Sequence, residues 1–305
     1  MATVALLGIV FSLVACGGRA QSEAPAGEAP GGRPLRVVTS TAILADWVRQ
    51  IGGARVAVES IVPAGADVHT FALSPEGVIA IVKADLVILI GGGLEAAFAD
   101  VVEENAKGEI LELTAGLPLQ PFPEEFNEAG GAGGQVQGKF DPHFWQDPTL
   151  AIAAVDRIRE RLSALDPAGA TAYAERAAAY GTAIRAVDAE IQELLKNLPP
   201  KRRLLVTFHD AFGYLARRYG LQLLGFVVEG PEEEPSAEQT AALIQAMRAN
   251  GVRYIFREPQ FQAPAVERIA AETGAEVRTL NSDTLTDTTP TYLDLMRANA
   301  HAIAD

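Results

Sequence analysis

Residues 166–198, DPAGATAYAERAAAYGTAIRAVDAEIQELLKNL, carry the longest apolar period in the chain. Asp166 and Pro167 mark a helix start, because aspartate caps a helix N-terminus and proline fits its first turn. Apolar residues then recur every third or fourth position, at Tyr173, Ala177, Tyr180, Ile184, Val187, Ile191, Leu194 and Leu198. This period predicts one connecting helix of about thirty residues, about 45 Å long at about 1.5 Å per residue. A coiled-coil dimer is the alternative, but the alanines and Gly181 would make its seam weak, so we expect a monomer.

On both sides of this helix, apolar strand-like segments alternate with segments of helical period. Before it, strands are predicted at 35–39, 56–62 and 86–90, and helices at 42–51, 75–83 and from about Pro148. After it, strands are predicted at 204–208, 221–228, 252–256 and 276–280, and helices at 211–219, 237–250, 265–273 and 292–303. Continuous apolar strands between helices are typical of parallel sheets covered on both faces.

We therefore predict an α/β fold with two lobes, each with a mainly parallel sheet flanked by helices, joined by one long rigid helix. A chain of 305 residues is also longer than one hydrophobic core usually organises. The predicted bounds are 35–165 for the N-terminal lobe, 166–198 for the connecting helix and 199–305 for the C-terminal lobe.

The composition narrows the function classes. Apolar residues make up 49% of the chain and charged residues 21%, which indicates a globular protein. The net charge of −14 argues against nucleic-acid binding, which depends on neutralising phosphates, and favours the attraction of cations. With one cysteine, the chain can form neither an internal disulfide nor a cysteine zinc cluster.

The N-terminus has the pattern of an export signal. Its apolar run, residues 4–14, is too short to span a bilayer as a helix and leads into LVAC at 13–16. This tetrapeptide resembles a bacterial lipobox, which implies cleavage before Cys16 and a lipid on its thiol. We predict a signal peptide at 1–15 and a flexible tether at 16–34, rich in Gly, Ala, Pro and Glu. The protein is expected to be extracytoplasmic and lipid-anchored to a bacterial membrane, in the periplasm or on the outer face of the cell membrane.

Three of the four histidines lie near the ends of predicted strands or just before a helix. His69 follows the second strand, His143 precedes the helix near Pro148, and His209 ends the strand after the connecting helix. Ligands of open α/β sheets bind beyond the carboxyl ends of the strands, and Asp283 also lies just past a strand. Three imidazoles and one carboxylate form a set that Zn²⁺ accepts. The residues alone leave two alternatives open, convergence on one metal or separate histidines that cap strand ends.

Neighbouring acids are candidates for orienting these imidazoles. Asp67, Asp141 and Asp210 are expected to accept the second ring N–H of a histidine. Glu258, at the end of a strand, has two open interpretations, the same orienting role or a surface ion pair. The fourth histidine, His301, lies on the terminal helix and is expected to be exposed.

Three segments resemble the signature blocks of metal-specific solute-binding lipoproteins, the zinc- and manganese-binding receptors of ATP-driven importers. They are PAGADVHTF at 63–71, FDPHFWQDP at 140–148 and TFHDAFGY at 207–214, and NSDTL at 281–285 resembles a fourth block. The similarity runs from about residue 35 to the C-terminus. It implies two α/β lobes bridged by a rigid helix with a buried metal between them. It also implies the metal ligands, which are His69, His143, His209 and Asp283.

The resemblance also bears on cargo and partners. Manganese-importing relatives tend to carry Glu at the position of His209, and three imidazoles favour zinc. We expect Zn²⁺ as bound cargo, delivered to the membrane permease of an ABC importer, and no enzymatic activity. The alternatives are manganese or iron cargo in the same importer class, or an exported zinc hydrolase, for which the chain lacks a His-Glu-x-x-His motif. Many zinc relatives have a His-rich loop where residues 127–138 are Gly-rich and contain no histidine.

Overall fold

A computed structural model of the protein describes residues 32–121, 140–231 and 233–305. The predicted signal peptide 1–15, Cys16, most of the tether and the loop 127–138 lie outside the described residues. Within them the chain has an α/β fold with parallel sheets flanked by helices and a long central helix. The exact division into 35–165, 166–198 and 199–305 stays a prediction.

The first lobe is built on one parallel sheet with strand order β2-β1-β3-β4. Its elements are β1 (Leu35–Thr39), α1 (Ala42–Gly52), β2 (Val56–Ser60), α2 (Pro75–Lys83), β3 (Leu86–Leu89), α3 (Ala99–Asn105), β4 (Glu109–Glu112) and α4 (Pro148–Leu165). The central strand β3 is buried at every residue, as its unbroken apolar run predicts. The sequence interpretation missed α3 and β4. Strand β4 buries only Leu111, because it lies at the sheet edge and needs no apolar run.

The second lobe contains two parallel strand pairs, β5–β6 and β7–β8, with β5 lying beside β7. Its elements are β5 (Leu204–Thr207), α6 (Gly213–Tyr219), β6 (Gln222–Phe226), α7 (Ala237–Asn250), β7 (Tyr254–Arg257), α8 (Pro264–Thr273), β8 (Glu276–Thr279) and α9 (Tyr292–Ala304). Helix α7 begins at a capping box between Ser236 and Gln239, which satisfies two backbone N–H groups at its start.

The connecting helix α5 (Ala170–Leu195) packs against α1 and α4 of the first lobe and α9 of the second. At 26 residues it is about 39 Å long, shorter than predicted. It ends at Leu195, whose carbonyl has no α-helical donor because Pro199 lacks an N–H. The Arg203 guanidinium donates instead to the carbonyls of Leu195 and Lys196, at 3.0 and 2.9 Å. The last buried residue of the helix is Leu195, whereas Leu194 and Leu198 are only partly buried.

This helix joins the two lobes into one packed body. Its buried stripe, from Tyr173 to Leu195, belongs to a hydrophobic cluster that includes residues of both lobes. Within the described ranges, every helix is too short or too polar to cross a bilayer.

Candidate metal centre

The four residues singled out in the sequence come from four separate segments. His69 lies in the loop between β2 and α2, and His143 lies between β4 and α4. His209 follows β5, and Asp283 follows β8. Two of the loops are shaped by short acidic turns, in which Asp141 accepts the backbone N–H of His143 at 2.9 Å and Asp67 that of His69 at 3.1 Å.

The fold brings these four side chains to one point. Each offers a ligand atom, and these atoms all lie within 4.8 Å of one another. The Asp283 carboxylate is 3.6 Å from the Nε2 atoms of His69, His143 and His209. Metal–ligand bonds of about 2.0–2.2 Å place ligand atoms about 3.4 Å apart in a tetrahedron, so the distances from the carboxylate to the imidazoles are close to those around a divalent metal ion.

The cluster is buried and its central atoms lack partners. His143, His209 and Asp283 are buried, and His69 is partly exposed. Among the described residues, the three Nε2 atoms and Asp283 Oδ1 are buried without a hydrogen-bond partner. Leaving four such atoms unsatisfied is costly, and a cation at their centre would satisfy them together. The donor set therefore fits a divalent metal ion.

Carboxylates contact the Nδ1 atoms of two imidazoles, on the side of the ring away from the cluster. His143 Nδ1 lies 2.8 Å from Asp141 Oδ1, and His209 Nδ1 lies 2.8 Å from Glu258 Oε1. With the proton on Nδ1, Nε2 presents its lone pair to the centre. The predicted role of Asp141 is thus confirmed. Glu258, which is 1% exposed, has the orienting role and not the alternative surface ion pair.

The expectations for Asp67 and Asp210 were wrong. The Asp67 carboxylate accepts the backbone N–H groups of His69 and Thr70, each at 3.1 Å, so it shapes the loop and does not orient a ring. The Nδ1 atom of His209 contacts Glu258, at the end of the neighbouring strand β7. Asp210 therefore does not orient the His209 ring. Burial and the nearby Asp141 carboxylate raise the pKa of Asp210 to about 6.

The buried imidazoles and carboxylates of the cluster shift each other's pKa values. Burial lowers the pKa of His209, but the carboxylates of Glu258 and Asp283 outweigh it and raise that pKa to about 9. For Asp283, burial raises the pKa, but the imidazoles, His209 first, bring it well below its usual value. In the metal-free protein, the raised pKa of His209 favours a protonated ring, which offsets part of the negative charge of Glu258 and Asp283.

Hydrogen bonds tie the site segments to each other across the lobes. Trp145 Nε1 donates to the Ser282 carbonyl at 2.8 Å, and the Tyr292 hydroxyl donates to the Trp145 carbonyl at 2.7 Å. The Tyr214 hydroxyl donates to the Asp141 carbonyl at 2.9 Å. These hydrogen bonds fix the segments that carry His143, His209 and Asp283 relative to one another without a metal ion.

The sequence interpretation missed two polar residues beside Asp283. The Ser282 hydroxyl contacts the carboxylates of both Asp283 and Glu258, and Gln260 Nε2 donates to Ser282 Oγ at 2.8 Å. The only signal for Gln260 was its position two residues after Glu258, at the end of a predicted strand.

The profile of a protein family described as "ZnuA: Zinc-uptake complex component A periplasmic" matches residues 37–305. The chain is 30% identical over 276 residues to the iron-binding protein YfeA of Yersinia pestis, covering 89% of this chain and 86% of that protein. It is 28% identical to the manganese ABC transporter substrate-binding lipoprotein PsaA of Streptococcus mitis, covering 97% of this chain and 94% of PsaA. The solved structure of the periplasmic zinc binding protein TroA from Treponema pallidum superposes with a TM-score of 0.76 at 27% identity, covering 90% of this chain and 98% of TroA.

Proposed function

Because the chain belongs to the ZnuA family, we propose that it captures Zn²⁺ with His69, His143, His209 and Asp283. The protein is an extracytoplasmic metal-binding receptor of an ABC importer, which works with a membrane permease. Such receptors are not enzymes, and the hydrolase alternative is set aside. The single observation that carries the zinc proposal is the convergence of three imidazoles and one carboxylate.

The chemistry of the donor set favours zinc over harder ions. Imidazole nitrogen suits Zn²⁺, Cu²⁺ and Fe²⁺, whereas carboxylate and carbonyl oxygens suit Mn²⁺ and Mg²⁺. The cluster offers three nitrogen donors against one carboxylate. Four protein ligands also fill a tetrahedral shell, as in closed structural zinc sites, whereas a catalytic site keeps one position for water. A coordination shell filled by protein ligands suits a protein that binds and carries the ion.

Manganese and iron are the alternative cargoes, and the names of two relatives favour them. YfeA is named for iron and PsaA for manganese, although both are similar to this chain along most of its length. Zn²⁺ outcompetes Mn²⁺ at most nitrogen-rich sites in vitro, so affinity alone does not identify the physiological cargo. Cells without the protein should fail to grow when zinc is limiting, whereas a defect under manganese or iron limitation alone would favour an alternative cargo.

Titration of the purified, metal-free protein tests the site directly. We expect one Zn²⁺ per chain, and His143→Ala should lower the affinity about 100-fold or more, because it removes a ligand from a closed shell. His301→Ala is the matched control, since His301 is exposed on α9 and should leave binding unchanged. A wild-type protein without tight Zn²⁺ binding, or equal affinities for the two variants, would refute the site.

The membrane anchor is a second part of the proposal. A lipid on Cys16 would keep the receptor at the membrane that holds its permease. In cells, Cys16→Ala should move the protein from the membrane fraction to the soluble fraction without changing Zn²⁺ binding. Membrane association that is the same in both proteins would contradict the anchor while leaving the metal site untouched.

A further inference from the structure

We propose that the cargo ion enters and leaves the site past His69, and that the hydrogen bond from Gly65 to Thr284 controls how often this route opens. The moving part is the His69 segment, residues 63–70, whereas the other three ligands stay in place. Thr284 is thus a positioning residue that does not touch the ion. The inference rests on the proposed function, because it requires His69 to be a metal ligand.

His69 is the ligand with access to solvent. Its side chain is 7% exposed, whereas the side chains of His143, His209 and Asp283 are 0% exposed. An ion cannot pass through close-packed protein, so the shortest route between the cluster and water runs past the His69 imidazole. This ligand must therefore move aside when an ion enters or leaves.

The His69 ring also lacks the carboxylate partner that the other two imidazoles have. Asp141 and Glu258 contact the Nδ1 atoms of those two rings. The acid beside His69 in the sequence, Asp67, accepts backbone N–H groups instead, and no carboxylate of the described residues contacts the Nδ1 atom of His69. Because such partners fix the orientation of a metal-bound imidazole, His69 can turn or withdraw more easily than the other two.

The segment that carries Asp283, residues 281–285, is held by bonds to its backbone. Asn299 on α9 accepts the Asn281 backbone N–H at 2.7 Å and donates to the Asn281 carbonyl at 2.8 Å. Trp145 Nε1 donates to the Ser282 carbonyl at 2.8 Å. The Asp283 segment is therefore a fixed support against which the His69 segment can open and close.

One backbone N–H group ties the His69 segment to this support. The Gly65 N–H lies 2.8 Å from Thr284 Oγ1 and 2.9 Å from the Leu285 carbonyl oxygen. Within the described ranges, the other hydrogen bonds of residues 63–70 are internal to the segment. Val68 is buried in the hydrophobic cluster and fixes the segment beyond Gly65. Opening therefore breaks the bonds of a single donor and leaves the internal turn intact.

Loss of the Thr284 hydroxyl should change the rates of metal exchange more than the affinity. The bond to Gly65 does not involve the ion, so its loss weakens the closed form to the same extent with and without Zn²⁺. The route then opens more often, and release and capture speed up by the same factor. Damage to Asp283 would instead speed up release by lowering the affinity.

The test uses the purified full chain loaded with Zn²⁺ and mixed rapidly with a chromophoric chelator, at concentrations where the release rate no longer depends on the chelator. Thr284→Val keeps the approximate shape of the side chain and removes the hydroxyl, and Thr284→Ala is a second variant in case the first does not fold. Thr284→Ser restores the hydroxyl. The matched control is Thr288→Val, because Thr288 is exposed and its hydroxyl contacts Thr286.

We expect release to be about fivefold faster in Thr284→Val, with a similar gain in the limiting rate of capture, as for one lost hydrogen bond. Thr284→Ser and Thr288→Val should keep the wild-type rates. Wild-type rates in the valine and alanine variants of Thr284 would overturn the inference, and so would a serine variant as fast as the valine one. A loss of affinity equal to the gain in release rate would also overturn it, because Thr284 would then act only through Asp283.

Restoration of binding by free imidazole tests the route independently of Thr284. His69→Ala leaves three ligands beside an opening to solvent, so free imidazole should enter and restore part of the Zn²⁺ affinity. His143→Ala leaves a gap inside the protein, which imidazole should not fill. Equal restoration of the two variants, or none in His69→Ala, would overturn this inference alone. Failure of the wild-type protein to bind Zn²⁺ would overturn the proposed function itself, and this inference with it.

Discussion

Glu258 Oε1 lies 2.8 Å from His209 Nδ1, although the two residues are 49 positions apart in the sequence. Both side chains are buried, and Glu258 comes from the end of β7, the strand beside the one that leads to His209. The corresponding partner of His143 is Asp141, only two positions away. One imidazole of the cluster is therefore oriented by a local turn and the other by the packing of two strands.

The first prediction concerns this long-range contact. Glu258→Gln keeps an acceptor for His209 Nδ1 but removes the charge, and we expect Zn²⁺ affinity to fall about 10–100-fold, as for other partners of metal-bound histidines. Competition with a chelator of known affinity measures the change. Glu267→Gln, on the exposed side of α8, is the control. Equal affinities for these two variants would show that the Glu258 charge is not needed.

The second prediction concerns pH. The pKa of His209 is raised to about 9 in the metal-free protein, so this imidazole is protonated at pH 7. Metal binding through Nε2 requires the neutral ring and must release that proton, so Zn²⁺ affinity should rise about tenfold per pH unit between about 7 and 9.

Calorimetric titration at pH 7 in two buffers of different ionisation enthalpy measures this release. His209 should contribute one proton per bound Zn²⁺, and the apparent binding enthalpy should differ between the buffers. A binding enthalpy that does not depend on the buffer would contradict a protonated His209.

The third prediction concerns the contact between the lobes. The Tyr214 hydroxyl accepts the backbone N–H of Gln120 and donates to the carbonyl of Asp141, both at 2.9 Å. Tyr214→Phe removes both bonds and should lower the free energy of unfolding of the metal-free protein by about 1–3 kcal/mol. Denaturant titration gives this value. Tyr254→Phe, whose half-buried ring stacks with Arg278, should cost less than about 0.5 kcal/mol, and comparable losses would argue against the role of Tyr214.

The fourth prediction concerns the glycine turn after β3. Gly91 has φ of +81°, and a Cβ there would lie 2.5 Å from Thr114 Oγ1. Gly274 also has positive φ, at +73°, but its Cβ would meet nothing within 4 Å. Gly274→Ala should cost about 1 kcal/mol of unfolding free energy from backbone strain alone. Gly91→Ala should cost a further 1–3 kcal/mol or so from the steric clash, and equal losses in the two variants would show that Thr114 moves freely.

The helices and strands with strong periodicity were predictable. The predicted bounds of α2 and α7 coincide with the observed ones, because proline or serine starts and a clear apolar period mark them. The buried stripe of α5 was predictable up to Ile191, but its last turn was not, because the apolar period runs on to Leu198 whereas Pro199 has no N–H for the Leu195 carbonyl. Strand β4 was missed because an edge strand with one buried residue carries no apolar signature.

The sequence by itself determined which side chains are the candidate metal ligands, namely three histidines near strand ends and helix starts and an aspartate beyond a fourth strand. It also determined the partner of His143, because a turn of two residues is a local interaction. Only the tertiary structure decided that these side chains meet, that Glu258 and not Asp210 holds His209, and that Gln260 reaches Asp283. These contacts depend on how the strands and lobes pack against each other. Packing brings together residues that are far apart in the sequence, as in the hydrogen bond from the Gly65 N–H to the Thr284 hydroxyl, across 219 positions. Residue type and spacing do not encode such distances.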